Sequence, residues 1–189
     1  MKFEDLLAQS HSTAAAREHR AAHVTDETKA VLTAVGRELL ADLTESTPGA
    51  CVMMSALYAQ RLRSKGVPAY VVAGTLSVQG VRVFGTDVPF DGKTAFSESN
   101  LDWDGHAWVV VGGHVADVSI FRTAYSKLSP PLLAEHVRGE FGLGRGLLLV
   151  AWRDAPKSGL YYAPRYVLTA AQVERLAHSA EVVFGLKPE

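Results

Sequence analysis

Residues 106–121 read HAWVVVGGHVADVSIF, and this stretch decides the fold. It holds two runs of β-branched and aromatic residues, His106–Val111 and 114–121, on either side of Gly112-Gly113. Two glycines between such runs predict a tight hairpin, because both central residues of the favoured turn need a positive φ. We therefore predict two antiparallel strands joined at the two glycines.

The register of this hairpin places chemically useful side chains on one sheet face. Counting back from the turn, Trp108 lies opposite Asp117. His106, two residues earlier, lies opposite Ser119, and alternation puts all four side chains on the same face. His106 and Asp117 are then diagonal neighbours within reach of a hydrogen bond.

Asp117 needs a partner, because a carboxylate inside an apolar strand is costly when it has none. A histidine is a suitable one, since the carboxylate selects the imidazole tautomer and stabilises the imidazolium. We therefore predict that Asp117 pairs with His106. The alternative is that Asp117 bonds to the backbone or faces water.

Upstream of the hairpin, residues 50–65 predict a helix that follows Pro48-Gly49 and ends before Gly66. Cys51, the single cysteine, lies in its first turn. Free backbone N–H groups and the positive end of the helix dipole stabilise a thiolate there, and the same groups can donate to an oxyanion. The competing interpretation is a structural cysteine, since free cysteine is among the most buried residue types.

The rest of the chain gives the fold class. Local patterns predict helices over 3–20, 25–43, 130–139 and 169–182, strands over 69–76, 78–84, 146–152 and 160–168, and a surface loop over 85–102. The strands of 146–152 and 160–168 are expected to pair. Helices followed by an antiparallel sheet and a last helix predict one α+β domain over 1–189.

Composition excludes several function classes. The net charge of -1 implies no general attraction to nucleic acid or to an anionic membrane. No stretch resembles a signal peptide or a membrane span, and one cysteine permits no intramolecular disulfide, so we expect a cytoplasmic protein.

The sequence also gives no reason to expect a cofactor or a metal. The histidines at 11, 19, 23 and 114 lack a metal-ligand pattern, and a lone cysteine excludes the common multi-thiolate zinc sites. The glycine-rich run at 142–146 lacks the lysine of a phosphate loop and precedes a strand, so it is interpreted as a turn.

Two parts of the chain resemble the transglutaminase-like superfamily, whose members have a papain-like fold. His106-Ala107-Trp108-Val109 is similar to the superfamily's histidine strand, and Asp117 falls on the next strand, in the superfamily's order of Cys, His and Asp. The resemblance covers about 49–120. The matching residues upstream are Cys51, Leu57, Leu62, Arg63, Gly66, Val67, Pro68, Ala69 and Tyr70.

The resemblance implies a papain-like α+β core in which the nucleophile helix packs on an antiparallel sheet. It also implies a Cys51 nucleophile, a His106 base and an orienting Asp117, acting through a thioester on a peptide, a protein or a small amide. Hydrolysis is preferred, because most small bacterial members are regarded as proteases or amidases. The alternatives are transfer to an amine acceptor and an inactive peptide- or protein-binding module.

Two details of the resemblance remain open. The segment between histidine and aspartate is shorter than in bacterial relatives, and no side-chain oxyanion donor is evident, with Thr44, Ser46 and Thr47 candidates by position only. Trp103 and Trp108, close to His106, are candidate substrate-binding residues. The oligomeric state is left open.

Overall fold

The computed structural model describes residues 2–43, 50–97 and 103–186. Over these residues, six strands form one antiparallel sheet with helices packed against it, which confirms the α+β class. The helices are α1 (Phe3–Ser10), α2 (Thr13–Ala21), α3 (Asp26–Asp42), α4 (Cys51–Ser64), α5 (Gly92–Ala95), α6 (Ile120–Tyr125), α7 (Pro131–Phe141) and α8 (Ala170–Phe184). The strands are β1 (Tyr70–Val78), β2 (Val81–Phe84), β3 (His106–Val111), β4 (His114–Asp117), β5 (Leu148–Ala151) and β6 (Leu160–Val167).

Strand β1 is the centre of the sheet. Its residues pair with β6 along one side and with β3 and then β2 along the other, while β4 and β5 extend the sheet beyond β3. Strand β2 ends opposite Leu76, and β3 begins opposite Gly74. The chain therefore leaves the sheet at Phe84 and returns at His106, only two positions further along β1.

Both faces of the sheet are covered, because successive strand residues point to opposite sides. Val109 packs in a core with α3, α4 and α8, whereas its neighbours Trp108 and Val110 pack in a second core with α1, α6 and α7. Covering both faces explains why β3 is buried along its whole length and is so apolar in sequence.

Helix α4 is tied to α3 and to β3 by buried hydrogen bonds. Tyr58 donates its hydroxyl to the carbonyl of Leu32 on α3 at 2.7 Å, and Ser55 donates to the carbonyl of Ala107 on β3 at 3.2 Å. Gly66 follows the helix with φ 76°, as predicted for the residue that ends it. These contacts fix the start of α4 relative to β3.

The long helices α3 and α8 each begin after a capping threonine. Thr25 accepts a hydrogen bond from the backbone N–H of Thr28, and Thr169 accepts one from Gln172. On α3, Leu32 and Leu39 have no exposed surface, and each contributes roughly 1.5–3 kcal/mol by burial. Among the helices that the structure describes, none is long and apolar enough to cross a membrane.

Two predicted elements are divided differently. The helix predicted over 3–20 is two helices, because Ser12 caps a new one by accepting from the N–H of Ala15. The strand predicted over 114–121 ends at Asp117, because this carboxylate accepts from the N–H of Ile120 at the start of α6. A capping carboxylate ends a strand because it satisfies helical N–H groups instead of continuing the ladder.

Two other predictions are wrong. Strands β5 and β6 do not pair with each other, because β5 joins β4 and β6 joins β1, and a 3-10 helix over Trp152–Ser158 carries the chain between them. The predicted surface loop over 85–102 contains the short helix α5 and a fully buried Phe96. Residues 98–102 of that loop lie outside the described residues.

Candidate active site

The hairpin turn has the predicted geometry. Gly112 and Gly113 have φ values of 47° and 74°, and Val111 pairs with His114. The resulting register brings the side chains of β3 and β4 together as the sequence indicated. His106 Nε2 lies 2.6 Å from Asp117 Oδ2, and both side chains are buried.

The Asp117 carboxylate has donors on both oxygens. Oδ1 accepts from the backbone N–H and the hydroxyl of Ser119 and from the N–H of Ile120, each at 3.0 Å. Oδ2 accepts from the hydroxyl of Tyr162 at 3.0 Å in addition to His106. Burial acts to raise the pKa of Asp117, but the charge of His106 and these hydrogen bonds hold it below its ordinary value. The carboxylate is therefore held ionised in a buried place.

The His106 ring is held between two aromatic rings. Phe84 stacks on it with centroids 5.5 Å apart, and Trp108 stacks with centroids 6.2 Å apart. Burial acts to lower the pKa of His106, but the charge and hydrogen bond of Asp117, together with those of Cys51, raise it to about 10. The imidazole is therefore fixed in its plane and favours the protonated form.

Cys51 is the first residue of α4 and is half-buried. Its side chain lies near the His106 ring, where it contributes to the raised pKa of that imidazole. Because Asp117 occupies Nε2, Nδ1 is the nitrogen left for Cys51. The first helical hydrogen bond of α4 runs from the N–H of Met54 to the carbonyl of Ala50. The N–H groups of residues 51–53, in the first turn beside the thiol, therefore have no acceptor within the helix.

The structure thus brings Cys51, His106 and Asp117 together in that order. A thiol, an imidazole and a carboxylate in series can generate a thiolate and transfer its proton. The free N–H groups at the helix start can stabilise negative charge on a carbonyl oxygen. Thr44, Ser46 and Thr47, the candidate oxyanion donors by position, lie outside the described residues.

Trp103 lines a groove of about 490 Å³ next to the start of β3. Its indole contacts Phe90 and Phe96, with ring centroids 5.8 and 5.3 Å away. A Cβ on Gly105 would collide with the same indole, so glycine is needed there for Trp103 to pack against the backbone. The groove wall also contains Gly74, the residue that pairs with His106.

Trp108 does not fit the substrate-binding role predicted for it. It has no exposed surface, and its ring contacts His106, Trp152 and Tyr162 inside the core. The physical reason is that helices cover both faces of the sheet, so every side chain of β3 is buried. Trp108 packs against the His106 ring inside the core and does not reach the surface.

Two hydrogen-bond partners of Asp117 were not predicted from the sequence, Tyr162 and Ser119. Tyr162 comes from β6, 45 positions from Asp117, and no local pattern indicates that these strands approach each other. Ser119 had a detectable signal, because an aspartate two residues before a serine favours a local turn that starts a helix. The structure shows it as the residue that precedes α6.

The site offers acid–base and nucleophilic groups. Over the described ranges, no cluster of three or more histidine, cysteine, aspartate or glutamate side chains is arranged to hold a metal ion. Comparisons of the chain with protein-family models, with curated proteins and with solved structures found no match.

Proposed function

We propose that this protein is a cysteine-dependent acyl-transfer enzyme that hydrolyses an amide or peptide bond. Cys51 is the nucleophile, His106 the acid and base, and Asp117 the orienting carboxylate, in a papain-like, transglutaminase-like arrangement. The observation that carries the proposal is the buried 2.6 Å contact between Asp117 and His106, whose ring also interacts with Cys51. A purely structural cysteine has no need of a histidine held in this way.

The first half-reaction forms a thioester. The Cys51 sulfur, as thiolate, attacks the carbonyl carbon, and the N–H groups at the start of α4 stabilise the oxyanion. The protonated His106 then gives its proton to the leaving amine as the C–N bond breaks. Asp117 keeps the ring oriented and balances its charge throughout.

The second half-reaction releases the acid. His106, now neutral, removes a proton from water, which attacks the thioester carbonyl. The C–S bond breaks, the carboxylic acid leaves, and the thiolate–imidazolium pair forms again. The substrate is a peptide, a protein or a small amide. The groove beside Trp103 offers an aromatic wall near the start of β3, although neither Cys51 nor His106 lines it. A reactive free thiol also fits a reducing compartment such as the cytoplasm.

Thiol reactivity tests the proposal. We expect iodoacetamide to modify Cys51 at neutral pH faster than it modifies a free thiol in solution, and His106→Gln to slow this reaction by about 10²-fold or more. Intact-protein mass spectrometry over time measures both rates. His178→Gln is the matched control, because this histidine is exposed on α8 and should leave the rate unchanged.

One result of the alkylation experiment would contradict the proposal. If Cys51 is modified only after denaturation, it is a core residue and the protein is not an enzyme of this class. Incubation of wild type and Cys51→Ala with a peptide mixture and a primary amine then identifies the reaction. Cleavage or deamidation supports hydrolysis, whereas incorporation of the amine supports a transglutaminase.

A further inference from the structure

Three aromatic rings of the described residues contact the imidazole of His106, and Phe84 differs from the other two. Trp108 has no exposed surface, and Tyr162 is 6% exposed and donates its hydroxyl to Asp117. Phe84 is only half-buried, lies on the edge strand β2 and carries no polar group. Phe84 is therefore the ring contact of His106 that is neither enclosed in the core nor part of the hydrogen-bond network of Asp117.

Strand β1 brings the rings of Phe84 and His106 together. Phe84 pairs with Leu76 and His106 pairs with Gly74, so the two residues are attached two positions apart along β1. Positions two apart on a strand lie on the same face of the sheet. The two rings are stacked, with centroids 5.5 Å apart and an angle of 19° between their planes. The contact therefore follows from the register of three strands.

The backbone beside the two rings is also held in place. The N–H of Gly85 donates to the carbonyl of Asp104, an exposed residue, at 3.1 Å. This bond joins the residue after Phe84 to the chain two residues before His106. Gly85 has a φ of 83°, and a Cβ on it would lie 2.6 Å from Thr75. The hydrogen bond and this close packing keep Phe84 beside the imidazole.

The charged groups near the imidazole belong to other residues. Burial acts to lower the pKa of His106, whereas Asp117 on β4 and Cys51 on α4 act to raise it. The arginine of β2, Arg82, is paired with Asp87 at 2.6 Å. Because Phe84 is uncharged, replacing it by another apolar residue leaves every charge around His106 in place.

An aromatic face is suited to a protonated imidazole. With a pKa of about 10, His106 carries a positive charge near neutral pH. A cation within about 6 Å of an aromatic ring centroid is attracted by the negative face of the ring, and more strongly where water is excluded. His106 is 1% exposed, so its contact with Phe84 is of the desolvated kind. Leucine would supply apolar surface at the end of β2 but no such face.

We propose that Phe84 is a positioning residue of the candidate active site, whose ring stabilises the protonated imidazole of His106 by stacking on it. This role rests on the proposed function, in which protonated His106 gives its proton to the leaving amine. Phe84 acts through His106 and not on the substrate.

Titration of His106 in Phe84→Leu tests the proposal. We expect the pKa of His106, measured by NMR from the chemical shift of its Cε1–H as pH is raised, to fall by about 0.5–1.5 relative to wild type. Phe84→Met also lacks an aromatic face and should give the same fall. Phe84→Tyr keeps the face and should titrate as wild type does.

Phe141→Leu is the matched control for this substitution. Phe141 is a half-buried phenylalanine that packs against the same core as Phe84, and its ring contacts Phe121 at the same centroid distance of 5.5 Å. Its replacement should cost similar packing and leave the pKa of His106 unchanged. Urea denaturation of each variant measures the loss of packing separately.

Three results would overturn the proposal. They are an unchanged pKa of His106 in both Phe84→Leu and Phe84→Met, an equal fall in Phe84→Tyr, and an equal fall in Phe141→Leu. The titration is measured on the resting protein and needs no reaction at Cys51. Failure of the acyl-transfer proposal in the alkylation experiment therefore leaves this test unaffected.

Discussion

Asp117 performs two tasks with one side chain. Through Oδ2 it orients His106, and through Oδ1 it caps the start of α6. Each task ties the carboxylate in place for the other, because a donor on one oxygen restricts rotation for both. Burial of an ionised carboxylate is tolerated here because the described donors satisfy both oxygens.

Replacing the charge while keeping the shape isolates the orienting task. In Asp117→Asn, the amide oxygen must face Ser119 and Ile120, which are donors, so the NH₂ faces His106. Nε2 must then accept a hydrogen bond, which leaves the ring proton on Nδ1 toward Cys51. We expect alkylation of Cys51 by iodoacetamide to slow by about 10²-fold or more, with stability reduced by about 1–3 kcal/mol.

Tyr162→Phe is the comparison for this variant. It removes one donor to the same oxygen but keeps the carboxylate and the tautomer of His106. We expect its alkylation rate to stay within about tenfold of wild type. Equal rates for Asp117→Asn and wild type would show that the carboxylate serves only the fold.

At the scale of elements, the break between β2 and β3 along β1 makes room for the site. Phe84 at the end of β2 stacks on His106 at the start of β3, and the Gly85 N–H bonds to the Asp104 carbonyl where the chain returns. Gly74 lies under this break, where β1 approaches Trp108 and the backbone of β6. The end of β2, the stacked ring of His106 and the close packing at Gly74 therefore depend on one another.

Gly74→Ala tests this arrangement. A Cβ at this position would collide with the carbonyl oxygen of Ala163 and approach the Trp108 ring to 2.9 Å. Because the Ala163 carbonyl belongs to the backbone of β6 and cannot move easily, we expect the free energy of unfolding to fall by about 1–3 kcal/mol. Urea denaturation measures this change. Gly139→Ala is the control, because a Cβ on this α7 residue meets nothing within 4 Å. It should stabilise the protein by about 0.5–1 kcal/mol.

The same variant should also alter the site. Displacement of Trp108 removes support from the His106 ring, so alkylation of Cys51 should slow in Gly74→Ala and remain unchanged in Gly139→Ala. Wild-type stability in Gly74→Ala would show that β1 and β6 separate at little cost.

At the scale of the whole molecule, the two ends of β3 border different cavities. The start of β3 holds the imidazole close to the groove of Trp103, and the hairpin turn at its other end borders a separate cavity of about 670 Å³. Helix α6 links the first site to the opposite layer, because its Arg122 donates to the carbonyls of Leu40 and Leu43 at the end of α3. The end of α3 is therefore held against α6 by these hydrogen bonds.

The buried ion pair makes global stability depend on pH. Folding raises the pKa of His106 from 6.5 to about 10, so its stabilisation is complete below pH 6.5 and is lost as pH rises through about 10. Folding lowers the pKa of Asp117, so that stabilisation is complete above pH 3.8 and is lost as pH falls through the lower folded value. We expect wild type to lose stability between pH 6.5 and 10, and His106→Gln to lose less.

Urea denaturation at a series of pH values measures this difference. Subtracting the His106→Gln curve removes the groups that titrate in both proteins. Parallel curves between pH 6.5 and 10 would show that His106 is not charged in the folded protein.

The sequence by itself determined the local geometry of the site. The glycine pair set the hairpin, the two-residue alternation set the face shared by His106 and Asp117, and Pro48-Gly49 with Gly66 bounded the helix of Cys51. Each of these depends on backbone conformations within a few residues, which side-chain size and glycine freedom control directly. The strand alternation also predicted the contact between His106 and Asp117, which the structure shows.

The tertiary structure alone decided what surrounds those residues. Tyr162 reaches Asp117 only because β6 pairs with β1, and Trp108 is buried only because helices cover the second face of the sheet. Pairing between distant strands and the covering of a sheet face depend on the packing of the whole chain. No pattern within a short stretch contains them. For that reason the role proposed for Cys51 could be inferred from the sequence, whereas the residues around it could not.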